Sequence, residues 1–461
     1  MGIVKIGTVT IYTGDCLEVL PELSGVSGVL TDPPYGLSFM GKAWDKGVPG
    51  IPFWDAIGRA CLPGAHLLAF GGTRTYHRQT CAIEDAGWTV RDCLMWVYGS
   101  GFPKSHNISI AIDKKAGVER EVVGQNKYVS RRPNPMNGIS YNYNESKYDI
   151  SANLDITKPA TPNAHTWQGY GTALKPALEP IVLAQKPREG SFVDNVLTHG
   201  CGALNVDGCR IEAGTEHMRG AVSTSKQSSP GVYEASKHGG LSGSGFVATD
   251  HPDGRWPSNV LIDDSPEVVG LFPSTGPSRA SSNKDKSKSV GYGSSHWVKR
   301  GTSHEDNGGS AARFYYCAKA SRAEREAGCW GVPPMKRDES REEGSPGGDN
   351  PRNRGAKPIH NSHPTVKPIA LMRYLLRLIT QPERNLILDP FAGSGTTGIA
   401  CALAGIPCVL IEQDPHHVEI IKARIQWATD IRQRLGREPD LDLTPYQTKP
   451  EPKDNDQGSL F

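Results

Sequence analysis

The sequence predicts an α/β fold with a mostly parallel sheet, and three observations support this expectation. Apolar strand patterns alternate with helical patterns near both ends of the chain, which is typical of a parallel sheet covered by helices. A glycine-rich turn near the C-terminus lies between a strand and a helix, and only one further strand and helix follow it. Because two strands cannot bury themselves, we expect the N-terminal strands to complete the same sheet.

In the N-terminal part, short apolar or alternating runs predict strands, and Gly or Pro pairs mark their ends. A turn at Gly14 and Asp15 leads from the first strand into a short helix. The predicted strands are residues 8–12, 26–30, 66–70, 88–98 and 181–184, and the longer predicted helices are residues 54–61 and 76–86.

The C-terminal part begins with the run His-Pro-Thr-Val-Lys-Pro at residues 363–368. In the helix predicted next, Leu371, Leu375 and Leu378 share one face, which indicates burial of that face. The helix is predicted at residues 369–380, followed by a strand at 385–388, a helix at 396–404, a strand at 407–411 and a long helix at 416–435.

Overall charge leaves the class of partner open. The 461 residues contain 51 Lys and Arg against 49 Asp and Glu, a net charge of +2, so any basic surface must be local. No apolar run approaches the about 18 residues of a membrane span, and the N-terminus lacks the pattern of a signal peptide. We therefore expect a cytoplasmic protein, from a prokaryotic or phage-infected cell, with no membrane partner.

Metal binding is not predicted. The ten cysteines are scattered without a Cys-x-x-Cys pair, and several lie inside apolar runs. Such cysteines are expected to be reduced and packed rather than paired or bound to zinc. His360 and His363 are close in sequence, yet no cysteine or carboxylate completes a ligand set around them.

The first motif is Thr-Asp-Pro-Pro-Tyr-Gly at residues 31–36, directly after an apolar strand. The two prolines have no N–H to donate, so the segment forms a stiff edge that accepts hydrogen bonds. The Asp32 carboxylate and the Pro33 carbonyl could accept both protons of an exocyclic amine, and Tyr35 offers a ring on which a planar base can stack. A plain Pro-Pro turn explains these residues equally well on their own.

The second motif runs from Asp389 through a G-x-G-x-x-G pattern that begins at Gly393, between a strand and a helix. Glu412 ends the next strand, at the spacing expected for an acid that bonds ribose hydroxyls. The pattern therefore indicates an adenosine-containing ligand. A dinucleotide would use a similar loop, but the position of the motif near the C-terminus argues against NAD. Closing the sheet instead brings the glycine loop beside Asp15 and the Asp-Pro-Pro-Tyr edge.

With both motifs in this order, the chain resembles the amino-group DNA methyltransferases of the beta arrangement. In that family the Asp-Pro-Pro-Tyr motif comes first, a target-recognition region follows, and the Phe-x-Gly-x-Gly motif comes last. The resemblance covers about residues 7–187 and 360–430. It implies a Rossmann-like methyltransferase fold, in which both parts of the chain assemble a mixed seven-stranded sheet with a circularly permuted motif order.

The resemblance also implies the roles of the site residues. The catalytic motif is Asp32, Pro33, Pro34 and Tyr35. The implied cofactor is S-adenosylmethionine, with its ribose at Glu412 and its adenine at Asp15. The implied cofactor-binding residues are Asp15, Cys16, His363, Thr365, Lys367, Asp389, Phe391, Gly393, Ser394, Gly395, Thr396, Glu412 and Gln413.

The middle of the chain departs from any recognition domain that can be mapped. We expect residues 1–196 and 358–435 to form a split catalytic domain, residues 197–357 an inserted, partly disordered recognition region, and residues 436–461 a flexible tail. Basic residues interleaved with aromatics suit contact with DNA phosphates and bases, although a solvated loop would have the same composition. The candidate DNA-binding residues are Lys104, Arg131, Arg132, Lys284, Lys286, Lys288, Lys299 and Arg300.

By this resemblance the expected activity is methyl transfer to the amino group of a base flipped out of double-stranded DNA. In the family, Asp at the first motif position goes more often with adenine N6 and Ser with cytosine N4, so Asp32 favours adenine and cytosine stays the alternative. A homodimer and a companion restriction endonuclease are candidate partners.

Three rival classes remain open to test. A non-enzymatic DNA-binding protein does not explain two intact motifs. A methyltransferase for protein glutamine or RNA would more typically carry Asn at the position of Asp32 and lack a long basic insert. An NAD-dependent oxidoreductase conflicts with the position of the glycine loop.

Overall fold

The structure is a computed structural model. It describes residues 2–37, 45, 47–99, 105–125, 155–211, 219–223, 246–250, 255–263, 265–272, 274–275, 278–279, 305–306, 309–310, 316–317, 322–335, 359–363, 365–440 and 442–447. The chain divides into two units by its internal contacts. The first contains Met1–Gly99, Leu178–Gly328 and Thr365–Phe461, and the second contains Ser100–Ala177 and Cys329–Pro364.

A ten-stranded sheet organises the first unit. Its strands, numbered here in chain order, lie in the spatial order β1-β2-β10-β9-β3-β4-β6-β5-β7-β8. They are β1 Gly2–Ile6, β2 Val9–Thr13, β3 Val26–Thr31, β4 Cys61–Phe70, β5 Thr89–Val97, β6 Leu178–Gln185, β7 Val260–Ile262, β8 Tyr316–Cys317, β9 Ile387–Asp389 and β10 Cys408–Glu412.

All seven predicted strands are present in this sheet, and the sheet is mixed as expected. Strands β2, β10, β9, β3 and β4 are parallel to one another, whereas β6 runs antiparallel between β4 and β5. Three further strands extend it: β1 pairs antiparallel with β2, and β7 and β8 add to β5 in parallel. The sequence prediction missed β1.

The two ends of the chain meet at β9, as the sequence predicts. Ile387 of β9 pairs with Cys408 of β10 on one side and with Gly28 of β3 on the other. Every residue of β3 and of β9 is buried, as expected for parallel strands covered on both faces. The N-terminal and C-terminal parts therefore share one core.

Helices cover this sheet, and most agree with the predicted positions. One boundary differs: β4 begins at Cys61, directly after α2, because Cys61 pairs with Val26 before the register shifts. The helices of the first unit are α1 Cys16–Val19, α2 Ile51–Ala60, α3 Tyr76–Asp85, α6 Phe192–His199, α7 Pro266–Val269, α8 Arg322–Glu326, α9 Ile369–Ile379, α10 Thr396–Ala404 and α11 Pro415–Leu435, and those of the second are α4 Ile108–Lys115 and α5 Pro162–Thr166.

The first residues after α11 pack onto the rest of the first unit, although the sequence predicts a flexible tail there. The Glu438 carboxylate accepts hydrogen bonds from the Arg373 guanidinium of α9 at 2.6 and 3.1 Å. The indole N–H of Trp427 donates to the carbonyl of Tyr446 at 2.9 Å. Residues 448–461 of the tail lie outside the described residues.

The second unit is organised around the buried Asp113 carboxylate of α4. This carboxylate pairs with the Arg120 guanidinium at 2.7 Å and accepts from the backbone amide and hydroxyl of Thr161 at 3.0 and 2.7 Å. It thereby joins α4 to α5. Among the described residues of the whole chain, no helix is long and apolar enough to cross a membrane.

Close packing between α10 and the sheet depends on Gly398, the third glycine of the second motif. A methyl group on Gly398 would lie 2.5 Å from Leu410 Cδ1 and 2.8 Å from Ile425 Cδ1. We expect Gly398→Ala to lower the free energy of unfolding by about 1–2 kcal/mol in urea denaturation, because overpacking outweighs the gain in helix propensity. The control is Gly47→Ala, whose methyl group meets no described atom within 4 Å. Equal losses for both variants would contradict this role of Gly398.

Candidate active site

The carboxyl ends of four adjacent parallel strands gather the motif residues at one edge of the sheet. Asp15 follows β2, Asp32 follows β3, and Asp389 and Glu412 are the last residues of β9 and β10. All four belong to the first unit. Ligands of open α/β sheets bind at this edge, so the fold brings the two sequence motifs to the position where a site is expected.

Four side chains form a partly buried hydrogen-bonded network around Asp32. The Tyr35 hydroxyl donates to Asp32 Oδ1 at 2.9 Å and lies 3.0 Å from Glu179 Oε2. The Lys367 ammonium lies 2.5 Å from Asp32 Oδ2 and 3.4 Å from Glu179 Oε2. It also lies 3.2 Å from the Tyr35 hydroxyl. We call Asp32, Tyr35, Glu179 and Lys367 the carboxylate network.

Burial and charge set the protonation states in the carboxylate network. Burial raises the pKa of Tyr35 well above its usual value, and the carboxylates of Asp32 and Glu179 raise it further. Burial alone would lower the pKa of Lys367, but the same two carboxylates outweigh burial and raise it. Tyr35 is therefore a neutral hydroxyl and Lys367 a cation at neutral pH.

The backbone of the first motif is held by side chains outside it. The Thr75 hydroxyl donates to the Tyr35 carbonyl at 2.6 Å. The buried Asp45 carboxylate accepts the backbone amides of Gly36 and Leu37 at 2.7 and 3.2 Å. Gly36 has a φ of 66°, and a side chain there would meet the backbone of Gly47. These contacts fix the direction in which the Asp-Pro-Pro-Tyr edge leaves β3.

A second buried carboxylate, Asp389, joins the two motifs. It accepts the Thr31 hydroxyl at 2.7 Å and the Thr397 hydroxyl at 2.7 Å. Its Oδ1 also accepts the Phe391 backbone amide at 3.2 Å. Burial raises the pKa of Asp389 to about 6, against the lowering effect of these hydrogen bonds. Both carboxylate oxygens thus point into the protein. Through them Asp389 connects Thr31, which directly precedes Asp32, to the glycine loop.

Glu412 holds the glycine loop in place. Its Oε2 accepts the Gly393 amide at 2.8 Å and its Oε1 accepts the Asp414 amide at 3.0 Å. Gly393 and Gly395 have φ values of 53° and 76°, which favour glycine. Each carboxylate oxygen of Glu412 keeps a second lone pair for another donor. A diol such as a ribose therefore fits this carboxylate.

Asp15, Cys16 and Phe391, three further predicted cofactor residues, lie just after β2 and β9 at the same edge of the sheet. Asp15 caps α1 by accepting the Leu17 amide at 2.8 Å, and the backbone amide of Gly14 donates to the Glu412 carbonyl at 3.0 Å. Cys16 is buried, which raises its thiol pKa to about 12 and leaves it uncharged. The Phe391 ring centroid lies 6.0 Å from that of Phe53.

Not every predicted cofactor residue is open to a ligand in the same way. Ser394 and Thr396 are buried, and the Arg424 guanidinium donates to the Ser394 carbonyl at 2.7 Å. Gln413 is exposed. These three residues therefore offer very different surfaces, and their cofactor contacts stay a prediction.

The His-Pro-Thr-Val-Lys-Pro run is split between the units. Lys367 belongs to the first unit and contacts Asp32, whereas Thr365 is exposed in that unit. His363 belongs to the second unit, where its amide donates to the Asn361 side chain at 3.1 Å. The structure thus places Lys367 in the carboxylate network, while its contact with a cofactor stays a prediction.

The candidate DNA-binding residues all lie outside the described residues. They are Lys104, Arg131, Arg132, Lys284, Lys286, Lys288, Lys299 and Arg300.

The sequence prediction missed Glu179 and Asp45. Glu179 lies at the start of β6, and because β6 is antiparallel, its N-terminal end lies at the same edge as the carboxyl ends of its neighbours. The sequence shows that Glu179 precedes an apolar run, but it does not show in which direction that strand runs in the sheet. Asp45 belongs to no recognisable sequence motif, so nothing in the sequence marked it.

Across the described part of the chain, no group of three His, Cys, Asp or Glu side chains could hold a metal ion.

Comparison with known proteins identifies the family of the chain. The sequence model described as DNA methylase, N6/N4 type, matches residues 26–423. The type II methyltransferase M2.MboI of Moraxella bovis is 44% identical over 69 residues, which are 15% of this chain and 25% of that protein. M2.LlaDCHI of Lactococcus lactis subsp. cremoris is 36% identical over 63 residues, which are 14% of this chain and 23% of that protein. The chain thus covers about a quarter of these relatives.

Among solved structures, the chain is similar to the PvuII DNA methyltransferase, which is described as cytosine-N4-specific. The sequence identity is 12% and the TM-score is 0.37, over 93% of this chain and 92% of that structure.

The buried Asp389 makes stability depend on pH. Its folded-state pKa of about 6 lies above the ordinary 3.8, so the folded protein binds more protons and stability falls as pH rises from about 4 to about 6. Relative to Asp389→Asn, we expect wild-type protein to lose about 3 kcal/mol of unfolding free energy across this window. Urea denaturation at several pH values measures the slope, and Asp55→Asn, an exposed carboxylate, is the control. Parallel curves for wild type and Asp389→Asn would contradict the assignment.

Proposed function

Because the chain belongs to the N6/N4 DNA methylase family, we propose that it transfers a methyl group from S-adenosylmethionine to the N6 amine of adenine in double-stranded DNA. The observation that carries this proposal is the position of Asp32. Its carboxylate follows β3, and the glycine loop follows β9, the adjacent parallel strand. An amine-holding group and a nucleoside-binding loop are thus neighbours at one edge of the sheet.

The residues at this edge fit the proposed cofactor. The Glu412 carboxylate can accept ribose hydroxyls with its second lone pairs. Asp15 is close to Glu412 because it directly follows Gly14, whose amide donates to the Glu412 carbonyl. Gly393 and Gly395 allow the loop backbone to approach a ligand closely, since neither carries a side chain. When bound, S-adenosylmethionine supplies an electrophilic methyl group on a sulfonium sulfur.

Asp32 and Pro33 would prepare the amine for attack. The lone pair of an adenine amine is delocalised into the ring, so the free amine is a weak nucleophile. Hydrogen bonds from its two protons to the Asp32 carboxylate and the Pro33 carbonyl favour a pyramidal nitrogen whose lone pair faces the methyl group. Transfer of the methyl group to this nitrogen would leave the C–S electron pair on sulfur, and the nitrogen would then lose one proton. Holding the reactants aligned supplies much of the rate enhancement.

The target base must leave the helix to reach Asp32, because the edge of an adenine inside the duplex is paired and stacked. The Tyr35 ring is the proposed stacking surface. Gly72 lies close to this ring, since an added methyl group there would be 3.2 Å from Tyr35 Cδ2.

Asp32 also supports adenine over cytosine as the target, by the pattern of the family that the sequence resembles. Cytosine N4 is the alternative, since it too presents an amine beside an unprotonated ring nitrogen. Methylation of protein glutamine or RNA is the more distant alternative. A homodimer and a companion restriction endonuclease stay predictions.

The target base can be identified directly. We expect nucleoside mass spectrometry of unmethylated plasmid DNA, incubated with the protein and S-adenosylmethionine, to detect N6-methyladenine. The same digest reports N4-methylcytosine, and its presence without N6-methyladenine would reverse the assignment of the base. Incubation with RNA or with protein in place of DNA separates the more distant alternatives.

Asp32 should be required for methyl transfer but not for cofactor binding. We expect Asp32→Asn to lower the methylation rate by about 10²–10⁴-fold, because the amide cannot accept a proton from the amine. Calorimetry should give nearly the same affinity for S-adenosylmethionine as wild type. The matched control is Asp55→Asn, which makes the same chemical change at an exposed surface ion pair with Arg59. A wild-type rate for Asp32→Asn would exclude this role.

A further inference from the structure

We propose that Asp32, Tyr35 and Glu179 form a proton relay that carries away the proton released by the methylated amine. Glu179 is the positioning residue of this relay, which receives the proton through the Tyr35 hydroxyl. The inference rests on the proposed function, since it concerns the fate of a proton in that reaction. It gives Tyr35 a second task besides stacking and assigns a role to a carboxylate outside both sequence motifs.

The Tyr35 hydroxyl lies between two carboxylates at nearly equal distances. It is 2.9 Å from Asp32 Oδ1 and 3.0 Å from Glu179 Oε2. A hydroxyl has one proton to donate and two lone pairs to accept. Tyr35 can therefore donate to Glu179 while it accepts a proton from Asp32, which is the arrangement that a relay needs. If the Tyr35 ring served only for stacking, its hydroxyl would not need to contact the carboxylates of Asp32 and Glu179.

Lys367 determines the direction of the relay. Its ammonium lies 2.5 Å from Asp32 but 3.4 Å from Glu179. Because attraction between opposite charges falls with distance, the ammonium favours the ionised form of Asp32 more strongly than that of Glu179. A proton that arrives on Asp32 is thus driven toward Glu179. The ammonium also occupies Oδ2, which leaves Oδ1, the oxygen that faces Tyr35, as the route for the proton.

Other charged or titratable groups face the same atoms. Burial raises the pKa of Tyr98, and the nearby charge of Glu179 raises it further, so the Tyr98 hydroxyl stays neutral. Glu179 can pass a proton to solvent. Its side chain keeps 21% of its surface exposed. Asp389 is the remaining carboxylate near Asp32, and its charge interacts with that of Asp32.

The proposed steps conserve protons and electrons. When the amine nitrogen gains the methyl group, it becomes positively charged and acidic, and an N–H proton moves to Asp32 Oδ1. That proton passes to the Tyr35 oxygen as the phenolic proton passes to Glu179. Tyr35 is neutral before and after the transfer, so its burial is not an obstacle. Asp32 returns to its carboxylate form, and Glu179 gives its proton to water.

The test uses two variants that keep the shape of the site. Tyr35→Phe keeps the ring and removes the hydroxyl. Glu179→Gln keeps an oxygen that can accept from Tyr35 and Lys367 but cannot take up the proton. We expect each variant to lower the single-turnover rate of DNA methylation by about 10²-fold, with unchanged affinity for S-adenosylmethionine and for DNA. We also expect both to lose the solvent deuterium isotope effect of the wild type. Glu179→Asp, which restores a carboxylate, should recover part of the rate.

Each outcome distinguishes the relay from simpler roles. If Tyr35→Phe methylates DNA at the wild-type rate with the same isotope effect, Tyr35 acts by stacking alone and the relay is excluded. If Glu179→Gln is fully active, Glu179 has a structural role only. If wild-type protein methylates no nucleic acid, the proposed function fails before the relay is addressed. Thermal unfolding of each variant separates a loss of folding from a loss of proton transfer.

Discussion

The structure depends most on the buried carboxylate of Asp389. It accepts hydroxyl protons from Thr31, which precedes the Asp-Pro-Pro-Tyr edge, and from Thr397, which lies in the first turn of α10. Thr31 and Asp389 are 358 residues apart in sequence. A buried carboxylate is costly unless hydrogen bonds satisfy it, so these bonds form only when β9 lies beside β3. The same pairing that completes the sheet therefore brings the two halves of the site together.

Much of this arrangement could be predicted from the sequence because it follows from local patterns. The apolar runs gave all seven expected strands, and the glycine spacing gave the loop before α10. What the sequence did not predict depends on the direction and pairing of strands. Glu179 reaches the site only because β6 is antiparallel, and Asp45 reaches it only because its carboxylate binds the amides of Gly36 and Leu37. Neither the direction of β6 nor the contacts of Asp45 can be recognised from a periodic pattern or a motif in the sequence.

Lys367 shows a similar limit of motif reasoning. Family resemblance predicts that it contacts the cofactor, and the structure places its ammonium on Asp32 and near Glu179. The buried Lys367 ammonium thus lies beside both carboxylates as a fixed cation. The carboxylate network thus combines an acceptor for the amine, a ring for the base and a fixed cation.

The central claim is that one site contains both the amine-holding edge and the cofactor loop. A crystal structure of the protein with S-adenosylhomocysteine and a short DNA duplex tests it most directly. We predict that the cofactor sulfur lies between the glycine loop and Asp32, with the amine of a flipped base at near-attack distance, about 3–4 Å from the position of the transferred methyl group. A cofactor bound away from the carboxyl ends of β9 and β10, or a base whose amine does not contact Asp32, would contradict the account.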